Sequence, residues 1–508
     1  MSLLPLKSGS DIRGTAQGPE ANLTQDTAKK LSFAFVRFIA VKTGKKEDEI
    51  TVALGRDSRL SGPVLMDAAA EGLCRAGASV ISFGLCTTPA MYVSLLTPGF
   101  ESDGAIMITA SHMPMDKNGM KFFTKDGGLE SEDILFLIEQ ADALTTTESF
   151  SFSGNIAEKA FLPAYREILS RRIRDGLDTD VQMPLLGLHV IVDAGNGAGG
   201  FFADMLASLG AWTEGSLFLE PDGRFPHHVP NPENEQAIAM LSKAVLKHGA
   251  DMGVIFDADC DRAAIVDPSG RPVNRNRLIA LVSAILLDKE PGITIVTDSV
   301  TSSGLSDFIG EWGGVHYRYK RGYQSVIREA MLLNRQGVNC PLAIETSGHA
   351  ALRENHFLDD GMYLVTMLIV EAMRMKQDGR VLSSLIADLK EPAESREIRL
   401  HITNPDFRRT GLDAIERVLD YATAMESWHI APDNREGVRI SYDYAGGIHN
   451  GWFLLRLSVH DPVLALNAES DVLGGVQAML TDLLKVLDGC PGIDFTPLVQ
   501  GTHDFSNG

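Results

Sequence analysis

Apolar, largely β-branched runs recur three times along the chain, each followed by a short polar loop and then by apolar residues at helical spacing. The three copies read TVALGRDSRLSGPVLMDAAAEGL, HVIVDAGNGAGGFFADMLASLG and ITIVTDSVTSSGLSDFIGEW. A buried strand, a turn rich in Gly, Asp or Ser and an amphipathic helix form the start of a βαβ unit. The pattern therefore predicts parallel strands at the start of each of three related α/β domains, and we expect the complete sheets to be mixed.

Each copy continues with a second predicted strand (ASVISFG, GSLFLE or VHYRYK) and then with an apolar run that ends in a polar loop. The later loops read AIMITASHMP, MGVIFDADCDR and PLAIETSGH. The spacings from residue 57 to 111, from 193 to 257 and from 298 to 345 are 54, 64 and 47 residues. Ligands of open α/β sheets bind beyond the carboxyl ends of the strands, so we expect the three loops to face a common central cleft.

Beyond about residue 395 the hydrophobic pattern changes. The segment ISYDYAGGIHNGWFLLRLSVHDPVLALNAES predicts two extended runs around a Gly-rich turn, with a helix following from about Asp471 to Leu487. We interpret this part as a smaller α+β domain. The predicted domains are therefore 1–150, 151–273, 274–394 and 395–508.

The composition narrows the class of protein. With 508 residues, of which 44% are hydrophobic and 22% charged, the chain has the composition of a multidomain globular protein. It contains no apolar run of about 18 residues, no secretory signal pattern and no CxxC pair among its five cysteines, so we expect a cytoplasmic protein without a membrane partner. A formal charge of -21 disfavours nucleic acid as a partner, whereas a small phosphorylated substrate needs only a local group of cations.

The loop DADCDR offers three alternating carboxylates directly after an apolar strand, from Asp257, Asp259 and Asp261. Oxygen ligands this close together suit a hard cation such as Mg²⁺, and the adjacent Arg262 can bind a phosphate next to the metal. An EF-hand does not fit, because Pro268 stands where that loop needs Glu. A solvated acidic turn is the alternative interpretation.

The loop TASHMP places Ser111 and His112 at the end of a predicted strand. A neutral serine is a poor nucleophile, so its more plausible role is to carry a phosphate held by a metal. Lys121 is a candidate proton acceptor, provided that neighbouring cations depress its pKa. Arg13 is the only cation in a Gly-flanked turn near the N-terminus. A turn serine and a surface lysine are the alternatives.

Two further loops offer groups for binding a phosphorylated sugar. The loop ETSGH supplies Glu345, Ser347 and His349. The loop RLSVHDP supplies Arg456, Ser458 and His460. A carboxylate beside a hydroxyl suits neighbouring sugar hydroxyls, and a guanidinium in a tight loop suits a phosphate. An ordinary strand-to-helix turn and a solvated hairpin tip are the alternatives.

The sequence GNGAGG at 195–200 fits the GxGxxG pattern of dinucleotide-binding proteins, since it follows an apolar strand and precedes a helix. The same place in the other two repeats is taken by GRDSRLSG and TDSVTSSG, which are not nucleotide motifs. A structural turn common to the repeats explains all three, so we do not assign a dinucleotide site.

Taken in this order, the loops resemble those of the α-D-phosphohexomutase superfamily, the phosphomannomutases and phosphoglucomutases, over nearly the whole chain. The resemblance implies three α/β domains and a TATA-binding-protein-like fourth domain around a deep cleft. It implies that Ser111 is the phosphoserine. It also implies that a Mg²⁺ ion is bound by this phosphate and by the three aspartates of DADCDR. It further implies that the residues of ETSGH bind the sugar and that Arg456 and Ser458 bind the phosphate that does not react. Further positions match the family at Arg13, Lys121, Arg262, Lys320 and Arg321.

Several positions depart from the family pattern. Met113 replaces the usual Asn, and Ala258 replaces the glycine of the metal loop. Val459 and His460 stand where the phosphate loop usually has Asn or Gly and then Thr. The combination resembles a divergent branch that is similar to plant plastid homologues.

The resemblance implies an enzyme that interconverts hexose 1-phosphate and hexose 6-phosphate, with glucose or mannose as the sugar. Phosphorylated Ser111 would donate its phosphoryl group, Lys121 would remove the hydroxyl proton with help from Arg13 or His349, and hexose 1,6-bisphosphate would act as the activator. Alternatives are a phosphoglucosamine mutase, a sugar phosphatase and a non-catalytic sugar-phosphate-binding protein. The expected oligomeric state is a monomer or a homodimer.

Overall fold

The computed structural model describes residues 2–144, 154–458 and 461–503. The chain divides into two compact units, which comprise Met1–Leu278 with Ser347–Ser384 and Ile279–Thr346 with Leu385–Gly508. Within the described residues, every helix is too short or too polar to cross a membrane. The domain boundaries expected near residues 150, 273 and 394 stay predictions.

The first α/β domain is built on a mixed sheet of eight strands. The strands are β1 (Lys7–Ser8), β2 (Asp11–Thr15), β3 (Thr51–Arg56), β4 (Ser79–Leu85), β5 (Gly104–Ile108), β6 (Lys117–Thr124), β7 (Gly127–Gly128) and β8 (Ile156–Glu158). Their order is β1-β2-β6-β5-β3-β4-β8, and β7 pairs with β6. Strand β3 pairs in parallel with β4 and β5, whereas β6 is antiparallel to β2 and β5.

Four helices cover this sheet: α1 (Gln25–Thr43), α2 (Gly62–Arg75), α3 (Thr88–Leu96) and α4 (Ser131–Ala143). Helix α1 begins where the side chain of Thr24 accepts the backbone N–H of Thr27, and it ends at Gly44, whose φ is 73°. Its buried face joins apolar side chains of α2, β3 and β5 in one core, including Phe35, Leu54 and Ile106.

The second α/β domain has the strands β9 (Val190–Asp193), β10 (Met252–Phe256), β11 (Ala263–Val266) and β12 (Pro272–Val273). Its helices are α5 (Leu162–Gly176), α6 (Phe201–Ser208) and α7 (Glu235–His248). The next helix, α8 (Arg275–Lys289), begins the segment predicted as the third domain. The strand predicted over GSLFLE is wrong. This segment makes only one parallel bridge, from Leu217 to Asp193, because Phe218 adopts a φ of 51° and interrupts the extended backbone.

The third α/β domain contributes to both compact units. In the second unit lie β13 (Thr294–Thr297), α9 (Ser303–Glu311), β14 (Val315–Arg318), α10 (Tyr323–Arg335) and β15 (Leu342–Ile344). Strand β13 pairs in parallel with β14 and with β15. In the first unit lie β16 (Ala350–Leu352), its antiparallel partner β17 (Leu358–Asp359) and α11 (Gly361–Gln377).

The fourth domain is an antiparallel sheet with helices, as the sequence predicts. Its strands are β18 (Glu394–His401), β19 (Trp428–Ile430), β20 (Val438–Tyr442), β21 (Gly451–Leu457) and β22 (Val463–Ser470), in the order β18-β22-β21-β20-β19. Its helices are α12 (Phe407–Ala422), α13 (Gly475–Leu487) and α14 (Thr496–His503). Helix α13 begins four residues later than predicted, because Gly474 has a φ of 85° and cannot continue a right-handed helix.

Short 3₁₀ turns occur at Leu4–Leu6, Glu47–Glu49, Arg353–Asn355 and Leu382–Ile386. The predicted fold class is confirmed, since three α/β domains are followed by a C-terminal domain built on an antiparallel sheet. The common cleft that the sequence predicts between the loops stays an expectation.

Candidate active site

Ser111 lies in the loop after β5 with a φ of 52°, in the left-handed region. This conformation costs a non-glycine residue about 1–2 kcal/mol, so the surrounding structure must hold it. The backbone N–H of Ser111 donates to Thr109 Oγ1 over 2.9 Å. The Ser111 hydroxyl donates to Asp257 Oδ2 over 2.7 Å, and His112 Nδ1 lies 3.2 Å from the same Oγ. The serine is thus fixed with its oxygen beside the acidic loop of the second domain.

Arg59 holds the serine loop, and the sequence analysis missed it. The side chain is fully buried, and its Nε donates to Asp57 Oδ2 over 3.1 Å. Its two terminal nitrogens donate over 2.6–3.0 Å to the main-chain oxygens of Ser111, Met113, Pro114 and Lys117. The signal was available, because the first turn of the first repeat reads DSR, whereas the other repeats have DAG and DSV.

In the first and third domains, an aspartate in the first turn of the repeat accepts a hydrogen bond from a threonine near the later loop. Asp57 Oδ2 accepts a hydrogen bond from the Thr109 hydroxyl over 2.7 Å, and Asp298 Oδ2 accepts one from Thr346 over 2.8 Å. Burial raises the pKa of Asp57, against the opposing effect of Arg59. The spacing that recurs in the sequence therefore corresponds to a physical contact between the two loops.

Asp257, Asp259 and Asp261 are buried, and each offers a carboxylate oxygen within 4.8 Å of the others. Burial, followed by the charges of the other two carboxylates, raises the pKa of Asp257 well above its ordinary value. Two of the buried oxygens, Asp259 Oδ1 and Asp261 Oδ1, lack a hydrogen-bond donor among the described residues. Buried carboxylate oxygens without donors suit coordination of a hard divalent cation, so this cluster is a possible metal site.

Lys121 lies on β6 with its ammonium group among these carboxylates. Its Nζ is 3.1 Å from Asp259 Oδ2 and also contacts Asp261 Oδ2. The sequence analysis makes cations near this lysine a condition for its role as proton acceptor, whereas these two contacts are with carboxylates of the loop after β10. Burial raises the pKa of Asp261, but Lys121, His349 and Arg262 outweigh it and hold that pKa below its usual range.

His349 joins Arg262 to a carboxylate that the sequence analysis missed. Arg262 Nε donates to His349 Nε2 over 2.8 Å, and His349 Nδ1 contacts Asp359 Oδ2. Burial, with the charges of Arg262 and Arg13, lowers the pKa of His112 to about 2. A signal for Asp359 was its place in LDDG, shortly after the ETSGH loop.

The turn GNGAGG packs against the acidic loop. A Cβ atom at Gly197 would lie 2.7 Å from Ala258 Cα, so only glycine permits this close approach. The backbone N–H of Ala198 donates to the carbonyl oxygen of Ala258 over 2.9 Å. These contacts give the turn a structural role beside the three aspartates.

In the second unit, Glu345 approaches the segment RYKRG. Glu345 Oε1 accepts the backbone N–H of Gly322 over 2.6 Å. The preceding N–H, from Arg321, donates to Glu436 Oε2 over 3.1 Å, and Lys320 is exposed. Glu345, Lys320 and Arg321, which are predicted to bind the sugar or its phosphate, therefore lie at or beside one turn.

Arg456 lies near the end of β21 and is mostly buried. Its Nε has no hydrogen-bond acceptor within the part of the chain that the structure describes. Burial lowers the pKa of Arg456, the charge of Glu436 opposes this effect and the charge of Arg321 adds to it, so Arg321 and Arg456 lie near enough to interact. Ser458 Oγ accepts the backbone N–H of Asp461 over 3.2 Å. His460 lies outside the described residues.

The first unit brings together nine predicted residues, Arg13, Ser111, His112, Lys121, Asp257, Asp259, Asp261, Arg262 and His349. Arg13 also pairs with Asp11 over 2.9 Å. Ser347 belongs to the same unit and is buried. The second unit holds Lys320, Arg321, Glu345, Arg456 and Ser458.

The three α/β domains, with a serine and an acidic cluster in loops that follow strands and a lysine on β6, match known proteins. Family models described as phosphoglucomutase/phosphomannomutase, alpha/beta/alpha domains I, II and III, match residues 6–147, 173–270 and 274–392. A phosphomannomutase/phosphoglucomutase of Pseudomonas putida is 33% identical over 426 residues, which cover 84% of each chain. A phosphoglucomutase of Neisseria gonorrhoeae is 30% identical over 95% of this chain and 96% of its own.

Among solved structures, a phosphoglucomutase/phosphomannomutase family protein from Burkholderia thailandensis superposes with a TM-score of 0.79 and 27% identity. The match covers 97% of this chain and 99% of that one. The chain therefore belongs to the phosphoglucomutase/phosphomannomutase family, which confirms the resemblance read from its loops. It is a phosphohexomutase, an enzyme of the isomerase class, and its family acts on small hexose phosphates.

Proposed function

We propose that this enzyme interconverts the 1- and 6-phosphates of glucose or mannose through a phosphorylated Ser111 and a bisphosphosugar intermediate. One observation carries the proposal: the Ser111 hydroxyl, 1% exposed, donates to Asp257 within a buried group of three carboxylates. A serine held in a strained conformation beside an acidic cluster that could bind a metal is well placed to carry a phosphoryl group between two sugar hydroxyls.

Asp257, Asp259 and Asp261 would hold one Mg²⁺. When bound, this ion supplies positive charge to the oxygens of the transferring phosphoryl group. Arg262 lies next to the same loop, and His349 fixes its Nε, so the remaining guanidinium nitrogens are available to bind phosphoryl oxygens. Asp359 in turn orients His349.

Lys121 would take the proton of the sugar hydroxyl that attacks the phosphoryl group. In this step the bond from the sugar oxygen to phosphorus forms, the bond from Ser111 Oγ to phosphorus breaks, and the hydroxyl proton moves to Lys121 Nζ. Asp259 and Asp261 position that nitrogen, and the positive charge of the ion that they would hold would favour the neutral form of Lys121, which can accept a proton. The reverse transfer, from the other end of the bisphosphosugar, regenerates phosphorylated Ser111.

Arg456 and Arg321 would bind the phosphate that does not react, and Glu345 with Ser347 would bind sugar hydroxyls. Arg456 Nε supports the first assignment, because it is buried without an acceptor among the described residues and a phosphate oxygen would satisfy it. Lys320 and Ser458, with His460, complete this proposed set, whereas His112 and Arg13 would serve the reacting phosphoryl. Hexose 1,6-bisphosphate would activate the enzyme by phosphorylating Ser111.

We further propose that the enzyme acts in the cytoplasm as a monomer or homodimer, without a nucleic-acid or membrane partner. Its five free cysteines and its charge of -21 support this assignment. The predicted domain boundaries near residues 150, 273 and 394 are proposed together with it.

A coupled assay tests the proposal. Glucose 1-phosphate and mannose 1-phosphate are supplied separately with Mg²⁺ and a trace of the matching hexose 1,6-bisphosphate, and formation of the 6-phosphate is followed. We expect conversion that stops on addition of EDTA and resumes with excess Mg²⁺. Phosphate release without isomerisation would identify a phosphatase instead. Conversion of glucosamine phosphate alone would identify a phosphoglucosamine mutase. No conversion of any of the three would favour a binding protein.

A further inference from the structure

Two histidines and an aspartate that have no role in the proposed catalysis lie close together in the fourth domain. They are His429, Asp443 and His449, whose side chains are 41%, 25% and 54% exposed to solvent. Each offers a ligand atom within 4.8 Å of the other two. This imidazole-containing group differs in chemistry from the all-carboxylate cluster of the first unit.

The sheet brings the three residues together from separate parts of the sequence. His429 lies on β19 opposite Ser441 of β20, and the buried Trp428 beside it turns the histidine toward the solvent face. Asp443 directly follows β20, and His449 closes the turn that leads into β21. The site therefore joins an edge strand to the neighbouring hairpin.

The hairpin turn is formed by the protein's own contacts. The backbone N–H of His449 donates to Asp443 Oδ1 over 2.7 Å. Asn450 and Tyr444 exchange two hydrogen bonds, each of 2.9 Å, across the base of the turn. His449 has a φ of 54°, so these contacts also set the direction of its side chain.

The distances suit a small metal ion. His429 Nε2 is 3.0 Å from Asp443 Oδ2, and His449 Nδ1 is 3.9 Å from Asp443 Oδ1. A tetrahedral ion with bonds of about 2.0–2.1 Å separates its ligand atoms by about 3.3 Å, close to the distance between His429 Nε2 and Asp443 Oδ2. The two imidazole rings have centroids 4.7 Å apart at an angle of 70°, so they meet edge to face, and each has a nitrogen near the Asp443 carboxylate.

We propose that His429, Asp443 and His449 bind one divalent transition-metal ion of the zinc class. Two imidazole nitrogens favour Zn²⁺, Cu²⁺ or Ni²⁺ over Mg²⁺, which prefers oxygen ligands. The Asp443 carboxylate supplies the third ligand through Oδ2 and keeps Oδ1 on the backbone of His449, which orients it. The exposed fourth position is open to water.

Such an ion would tie β19 to the β20–β21 turn. Arg456 is near the opposite end of β21 from this turn, so metal binding at the site leaves the proposed phosphate loop unchanged. The expected consequence is a higher melting temperature of the fourth domain with unchanged mutase activity, because a ligand that binds only the folded state stabilises it.

The test uses the full chain with millimolar Mg²⁺ present, so that the acidic cluster of the first unit is supplied with its own ion. Zn²⁺ is titrated by calorimetry, and Cu²⁺ is added at one equivalent for electron paramagnetic resonance. The variants are His429→Asn and His449→Asn, and His401→Asn is the control because His401 is an exposed histidine of the same sheet. Circular dichroism checks that each variant is folded.

We expect wild type and His401→Asn to bind one Zn²⁺ per chain and to give a Cu²⁺ spectrum with coupling to two nitrogens. Each of the other variants should weaken Zn²⁺ binding about tenfold or more and reduce the coupling to one nitrogen. Equal Zn²⁺ affinity in all four proteins, or a Cu²⁺ spectrum that neither variant changes, would overturn the proposal. Because the readouts are metal binding rather than turnover, the result is independent of the mutase assay.

Discussion

Arg59 Nη2 donates to the main-chain oxygen of Ser111 over 2.6 Å, although 52 residues separate the two. The same guanidinium contacts three other carbonyl oxygens of that loop, and Asp57 neutralises it. Because five nitrogen-bound protons in a rigid fork meet these acceptors at once, Arg59 keeps the serine in a left-handed conformation that it would otherwise leave. The buried ion pair between Arg59 and Asp57 thus serves to position the Ser111 hydroxyl.

Replacing Arg59 with Lys keeps the positive charge but removes the planar guanidinium that donates to several acceptors at once. We expect kcat to fall about 10- to 100-fold, because Ser111 is misplaced, while KM changes little. The free energy of unfolding should fall by about 2 kcal/mol or more, since buried carbonyl oxygens lose their donors. Steady-state kinetics and urea unfolding measure both effects. Arg171→Lys, at an exposed position on α5, is the control and should match wild type. A fully active Arg59→Lys would remove the positioning role.

Lys121→Arg tests the assignment of the proton acceptor. Arginine keeps a positive charge beside Asp259 and Asp261, so the fold should be retained, but it does not give up its proton. We expect kcat to fall about 10²- to 10⁴-fold with little change in melting temperature. Lys125→Arg, an exposed neighbour, is the control. A kcat within about twofold of wild type would assign the proton transfer to another group.

Arg456→Lys separates phosphate binding from chemistry. The variant keeps one charge but loses the paired donors that match a phosphate, so KM for the hexose phosphate should rise about tenfold and kcat should change less. The comparison is with Arg409→Lys, whose side chain is 80% exposed. If KM stays constant, the phosphate is bound elsewhere.

Glu469 makes the stability of the fourth domain depend on pH. Burial raises its pKa from 4.5 to about 7, although Arg439 and the N–H of Trp452 act in the opposite direction. Between these values the folded state holds a proton that the unfolded state has lost, so stability falls as pH rises from 4.5 through 7. Full ionisation costs on the order of 3 kcal/mol.

Glu469→Gln removes that cost, because its side-chain oxygen still accepts from Trp452. Relative to wild type, the variant should gain free energy of unfolding as pH rises from 5 to 8, measured by urea unfolding at each pH. The exposed Glu416→Gln is the control. A difference between Glu469→Gln and wild type that is independent of pH would contradict the prediction.

The sequence predicted much of the fold because its local patterns agree with the tertiary structure. Continuous apolar strands, each followed by a polar loop, mark β3, β9 and β13, and the loops that end β5, β10 and β15 carry the predicted chemistry. The recurring spacing has a physical basis, since Asp57 binds Thr109 and Asp298 binds Thr346. Local pattern and distant contact thus point to the same topology.

The parts that sequence reasoning missed depend on contacts between distant residues. A run such as GSLFLE is suited to a strand, but the backbone at Phe218 turns out of the sheet. Lys121 was expected among cations, yet it meets aspartates about 140 residues away. Arg59 and Asp359 were missed because their roles are to hold other residues, and no short motif shows which carbonyl or imidazole they will meet.

Phosphorylation of Ser111 is the most direct test of the central proposal. The protein is incubated with glucose 1,6-bisphosphate and Mg²⁺, its mass is measured, and the phosphorylated protein is then mixed with excess glucose 1-phosphate while the mass and the sugar products are followed. We predict one added phosphate on Ser111 in wild type and in the exposed control Ser384→Ala, with phosphoryl transfer to the sugar at the rate of turnover. Ser111→Ala should gain no phosphate and lose conversion. Wild-type turnover by Ser111→Ala would contradict the proposal.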